Sequence, residues 1–235
     1  MKYEILGNDL QTLEITLDSE ESIIAQAGSM YFMQEGIEFE AIAGDGNESN
    51  GFISNIMKTT RRAASGESAF FAKFNNYSIF DGKVAFASPY LGKIIPINLL
   101  EHDSSIICQR GAFLCGSVGT NIDIHFNKKI GTGIFGGEGF ILQKIEGIGE
   151  IFLNTFGYVK QIELNNEEIK IDNGCLVAYS GDIEYGICTT GNIKNIIFGG
   201  EGLFLSTLKG TGTVWLQSLP IEKFKNCILQ DALDK

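Results

Sequence analysis

The sequence predicts an all-β, antiparallel fold built from three internal copies of one unit. A glycine-rich motif recurs at a fixed offset. Phe135-Gly136-Gly137-Glu138-Gly139 returns 63 residues later as Phe198-Gly199-Gly200-Glu201-Gly202. Apolar and polar residues alternate with a period of two. Leu13, Ile15 and Leu17 alternate with Thr12, Glu14 and Thr16, and Ile122, Ile124 and Phe126 with Asn121, Asp123 and His125. That alternation is the pattern of half-buried strands. Finally, 29 glycines against 3 prolines supply frequent turns while leaving ladder hydrogen bonds free to form.

The repeat holds register beyond its motif. Leu142 pairs with Leu205, Gly147 with Gly210 and Gly149 with Gly212, and upstream Gly111 pairs with Gly174 and Ser117 with Ser180. A weaker copy precedes these, with Gly28-Ser29-Met30 and Gly66-Glu67-Ser68 in the matching places. The glycine-to-glutamate separation is 27 residues in the later copies and 39 in the first, so the first carries an insertion between Gly36 and Gly66. The expected organisation is a single β domain over 1–235. Its first copy runs over about 8–90 with the insertion at 40–65, its second over about 95–157 and its third over about 158–220. Gly147-Ile148-Gly149 and Gly210-Thr211-Gly212 read as turns that need positive φ.

Two segments depart from the β pattern. Within the insertion, Phe52, Ile53, Ile56, Met57 and Thr60 fall near helical spacing, with Lys58, Arg61 and Arg62 elsewhere on the turn, predicting a short helix near 52–64. After Pro220, Ile221, Phe224, Ile228 and Leu229 recur at i, i+3, i+7 and i+8, predicting an amphipathic helix at about 220–233.

The net charge of −11 repels a phosphate backbone, and three arginines among 18 basic residues are poor equipment for bidentate phosphate recognition. No nucleic-acid partner is expected. Five cysteines, odd in number and without CxxC spacing, fit free thiols in a reducing compartment better than a disulfide framework or a zinc knuckle. The first residues have no signal-peptide pattern and no apolar run is long enough to span a bilayer, so a cytoplasmic location is expected.

Gly199-Gly200-Glu201-Gly202-Leu203-Phe204-Leu205 followed by Gly210-Thr211-Gly212-Thr213-Val214-Trp215-Leu216-Gln217-Ser218-Leu219-Pro220 resembles the closing signature of the family named for altered inheritance of mitochondria twenty-four. Gln26-Ala27-Gly28-Ser29-Met30 and Gly66-Glu67-Ser68 resemble its earlier motifs, and the resemblance covers nearly the whole chain. It implies a β-sandwich like that of the tryptophan RNA-binding attenuator superfamily; the three internal copies themselves suggest a pseudo-threefold arrangement. A fungal member of the family is linked to inner-membrane organisation and respiratory-complex biogenesis. The resemblance carries no catalytic residues over.

Glu67, Glu138 and Glu201, preceded by Gly66, Gly137 and Gly200, occupy one position in three copies. If they converge, they form a site for a hard cation or a small molecule; if not, each caps its own turn. Gly131-Thr132-Gly133-Ile134-Phe135-Gly136 matches GxGxxG, but a dinucleotide fingerprint needs a helix next, and Phe140-Ile141-Leu142 reads as a strand. His102 and His125, the only histidines, lack the clustered carboxylates and histidines of a metal site. Cys115 reads as a buried small residue, and Ser117 fails the GxSxG pattern at its first position. Lys58, Arg61 and Arg62 are the only basic cluster and the basis of a less favoured membrane-contact reading.

The expected function is a non-enzymatic β-scaffold with no cofactor, acting through a protein partner or self-association. The inserted helix, with Lys58, Arg61 and Arg62, and the C-terminal helix, with Phe224 and Ile228, are the expected contact surfaces. The alternatives are a cation- or small-molecule-binding β protein using the repeated glutamates, and a peripheral membrane protein.

Overall fold

A computed structural model describes residues 1–43, 70–128, 140–189 and 204–233. Both segments in which alternation is read, 12–17 and 121–126, are strands, and further strands accompany them. In chain order these are β1 (Lys2–Leu6), β2 (Thr12–Leu17), β3 (Ser22–Gln26), β4 (Met30–Met33), β5 (Ile37–Ala43), β6 (Phe70–Asn76), β7 (Gly82–Ala87) and β8 (Ile94–Asn98). There follow β9 (Ser105–Gln109), β10 (Phe113–Ser117), β11 (Asn121–Lys128), β12 (Phe140–Glu146), β13 (Glu150–Asn154), β14 (Val159–Asp172), β15 (Leu176–Thr189) and β16 (Phe204–Gln217). The chain closes on one helix, α1 (Ile221–Leu233), where the sequence places it. The insertion helix expected near 52–64 lies outside the described residues.

The strands form a four-stranded sheet, β1-β2-β7-β4, and two six-stranded sheets, β5-β6-β3-β10-β13-β8 and β11-β12-β9-β15-β16-β14. One pairing scheme recurs. β7 lies between β2 and β4, and β13 lies between β8 and β10. The C-terminal half of β16 lies between the N-terminal halves of β14 and β15. Likewise β6 lies between β3 and β5, and β12 between β9 and β11, while the N-terminal half of β16 lies between the C-terminal halves of β14 and β15.

One expectation is corrected. Gly210 and Gly212 do have positive φ, at 140° and 156°, but they do not form a turn. They sit inside the continuous 14-residue strand β16. Partners on both sides keep that strand paired through the bend, with Gly212 opposite Leu164 on β14 and Gly181 on β15. A Cβ on Gly212 would stand 2.1 Å from the Ser180 carbonyl oxygen, so only glycine lets the neighbouring strand approach so closely.

Two compact units emerge. One comprises Met1–Ser105, Gly111–Asp123 and Ile145–Asn154, the other Ile106–Arg110, Ile124–Lys144 and Thr155–Lys235. The first is packed around Leu13, Ile15, Leu17, Phe74, Phe86 and Phe152. Its β2 shows the sequence pattern directly: Leu13, Ile15 and Leu17 are fully buried, and the intervening Thr12, Glu14 and Thr16 are half-exposed. The second unit is packed around Leu142, Leu164, Tyr179, Leu208 and Val214. There Tyr179 stacks on Tyr185 with ring centroids 6.3 Å apart, and Tyr185 Oη shares a hydrogen bond with buried Ser206 Oγ at 2.8 Å.

The recurrence makes one local defect legible. Gln217, at the end of β16, donates from Nε2 to the Gly174 carbonyl at 2.8 Å, and its Oε1 accepts from Phe156 N at 2.9 Å. The position 63 residues earlier is Asn154, one methylene shorter. Its Oδ1 and Nδ2 are both buried without a hydrogen-bond partner. Orphaned amide atoms cost about 1–3 kcal/mol. Asn154→Gln is expected to regain part of this, raising the melting temperature by about 2–4 °C for each kcal/mol recovered. A lower melting temperature in a thermal melt would show that the two positions are not equivalent.

Candidate interaction surface

Among the described residues, the buried cysteines and the serine singled out by sequence are engaged in the fold. Cys115 is fully buried and its thiol is pushed well above the usual range by desolvation; the same cause raises Cys108 to about 12. A thiol nucleophile acts as thiolate, and burial disfavours that form. Ser117 Oγ accepts from Glu150 N at 3.1 Å and donates to the Glu150 carbonyl at 3.2 Å, so the hydroxyl is engaged across the β10–β13 pair. His102 ends a 3₁₀ turn (Leu99–His102) capped by the Asn98 side chain, which accepts from Leu100 N. His125 is exposed on β11, and Phe140 opens a strand rather than the helix a dinucleotide site requires. Among the described residues, no three His, Cys, Asp or Glu side chains group to hold a metal ion, and no helix is long and apolar enough to cross a membrane.

Of the residues singled out by sequence, Gly66, Glu67, Gly137, Glu138, Gly200, Glu201, Lys58, Arg61 and Arg62 lie outside the described residues. Phe224 and Ile228 do not, and α1 uses them differently. Phe224 is half-buried against Phe156, with ring centroids 5.6 Å apart. Beside it Lys223 Nζ lies 2.9 Å from Asp172 Oδ2. The first turns of α1 are thereby anchored. Ile228 and Leu229, further along, are 53% and 57% exposed.

The more extensive surface was not singled out from the sequence. It lies at one end of the β5-β6-β3-β10-β13-β8 sheet. The register aligns six strand ends there: Ile37 opposite Asn76, Asn75 opposite Ser22, Ile23 opposite Ser117, and Glu150 opposite Asn98. Ser117 completes the row through its two hydrogen bonds to the Glu150 backbone. At about 4.8 Å between strands, the row is roughly 24 Å long.

Two clusters of turns cap this row. In the first, the turn after β6 is organised by Asn76, which is fully buried. Its Nδ2 donates to the carbonyls of Leu17 (2.9 Å), Asp18 (3.2 Å) and Phe80 (2.9 Å), and its Oδ1 accepts from Ser78 N at 3.0 Å. Ser78 Oγ donates to the Phe80 carbonyl at 2.7 Å. Tyr77 N donates to Gly36 O at 3.0 Å, tying in the turn before β5. The result is a fixed loop presenting Tyr77, Ile79 (83% exposed) and Phe80 (73% exposed).

The second cluster joins three turns. Leu99 N donates to Gly149 O at 3.0 Å and Gly147 N to Ser104 O at 3.1 Å. Gly147, at φ 144°, lies against the third turn: a Cβ there would stand 2.8 Å from the Gly119 carbonyl oxygen. This cluster presents Leu100, Val118 and Ile148, all exposed. The corresponding bends of β14, β15 and β16 present polar residues instead, with Asn165, Asn166, Asp182 and Thr211 exposed.

Fold and surface together define an antiparallel all-β chain with fixed apolar turns and an anchored C-terminal helix. Residues 3–219 match the family described as Mitochondrial biogenesis AIM24, and the chain belongs to that family. It is 32% identical over 216 residues to an uncharacterised protein of Streptococcus pyogenes serotype M6, covering 90% of this chain and 83% of that protein. It is similar in structure to a Streptococcus pyogenes protein solved by X-ray crystallography, with a TM-score of 0.74 at 27% identity, over 97% of this chain and 98% of that one.

Proposed function

We propose that the chain is a non-enzymatic, cytoplasmic β-scaffold that works through protein contacts, self-association first among them. The observation that carries this reading is α1. Its first turns are anchored by Phe224 on Phe156 and Lys223 on Asp172, while Ile228 and Leu229 stay exposed further along. A helix held by one part of its apolar stripe, with further aliphatics facing water, is suited to a second contact. The burial of Cys108 and Cys115 and the hydrogen-bonded state of Ser117 also favour a structural over a catalytic use of these groups.

The test is the molar mass of the full chain by light scattering. The Ile228→Ser, Leu229→Ser double variant is expected to sediment and scatter as a smaller species than the parent while keeping its β-sheet circular dichroism. An unchanged mass in the folded variant sinks the self-association reading.

A further inference from the structure

We propose that the row of strand ends capped by Tyr77, Ile79, Phe80, Leu100, Val118 and Ile148 docks a basic, amphipathic segment of a partner protein. The inference rests on the reading of the chain as an interaction scaffold and names the chemistry of what it holds. Apolar side chains scattered singly over a surface need no explanation. These are not scattered. They sit on turns whose backbones are fixed by hydrogen bonds, along one end of one sheet, and the bends of β14, β15 and β16 carry polar residues where these carry apolar ones. A rigid apolar display binds without first losing loop entropy.

Charge selects the occupant. Exposed Asp81, Glu101 and Asp103 lie on the same turns, and exposed Asp18, Glu20 and Glu35 on the turns before β3 and β5 at the same end of the sheet. Of the cations there, the Met1 amine is 3.2 Å from Glu21, and Lys2 is 4.0 Å from both Asp18 and Asp81. The surface is therefore apolar at its tips and acidic around them. An anionic bilayer or a phosphate backbone is repelled by it, and so is an identical acidic surface of a second copy. A segment with apolar residues on one side and lysine or arginine flanking them satisfies both features. The row of about 24 Å accommodates a helix of about 16 residues or an extended stretch of about 7.

The experiment uses the full chain and a fluorescein-labelled, 16-residue amphipathic leucine/lysine peptide, read by anisotropy against a leucine/glutamate peptide of equal length. The lysine peptide is expected to bind at least about tenfold more tightly than the glutamate peptide. Phe80→Ser with Ile148→Ser is expected to weaken it by about tenfold or more. So is the charge variant Asp18→Asn, Glu20→Gln, Asp81→Asn, which leaves the apolar tips in place. Glu167→Gln with Glu168→Gln, which removes acidic charge from β14, is expected to leave binding unchanged. Equal binding of both peptides, binding of neither, loss of affinity in the β14 variant equal to that in the turn variants, or preference for phosphatidylglycerol vesicles would each overturn the proposal. Peptide capture and self-association through α1 have separate readouts, so either can fail alone.

Discussion

Asn76→Ala is expected to destabilise the chain by about 2–4 kcal/mol, because the side chain it removes serves four backbone groups at once. Its amide donates to the carbonyls of Leu17, Asp18 and Phe80, and its oxygen accepts from Ser78 N. The residue is fully buried, so water does not simply replace it. A lost hydrogen bond that leaves a buried group unpaired costs about 1–3 kcal/mol, and here more than one is left so. The cost is read as a drop in melting temperature of roughly 2–4 °C per kcal/mol. Asn76→Asp separates the two halves of the side chain's role. It keeps an acceptor for Ser78 N but sets an oxygen where three carbonyls converge, and is expected to be worse than alanine. An aspartate variant as stable as the parent would show that donation to those carbonyls is not what holds the loop.

That loop also shows where sequence reasoning stopped. The alternation in Thr12–Leu17 and the apolar spacing after Pro220 depend on local periodicity, and both emerge as a strand and a helix. The glycine pairs at 147, 149, 210 and 212 signalled positive φ, and all four have it. Whether such a glycine ends a strand depends on partners far along the chain. Gly212 meets Leu164 and Gly181 across two ladders, so β16 runs through it, whereas Gly147 and Gly149 fall between β12 and β13. The apolar turns were illegible for a related reason. Tyr77, Ile79 and Phe80 read as more apolar sequence until Asn76 is seen to reach Leu17, 59 residues away, and fix them outward. Leu100, Val118 and Ile148 are on three separate segments that only tertiary hydrogen bonds bring together. The repeated glutamates, legible as a motif, lie outside the described residues.

Two phenylalanines six residues apart give the sharpest contrast the fold offers. Phe86 on β7 is fully buried, with its ring centroid 5.3 Å from that of Phe74 in an edge-to-face arrangement, and it stands opposite Leu13 and Met30 on the flanking strands. Phe80, on the turn leading into β7, is 73% exposed. Phe86→Ala removes the burial of a large side chain and leaves a void among close-packed neighbours, with an expected cost of about 3–5 kcal/mol. Phe80→Ala removes neither, and its cost is expected to stay within about 0.5 kcal/mol. The Phe80 carbonyl keeps its bonds from Asn76 and Ser78, because those are made to backbone. Urea denaturation of both variants measures the difference. A Phe80→Ala cost approaching that of Phe86→Ala would mean that the Phe80 ring packs into the first unit in solution, leaving the turn without its exposed apolar tip. A near-zero cost, together with weaker binding of a basic peptide, would separate a side chain kept for contact from one kept for packing.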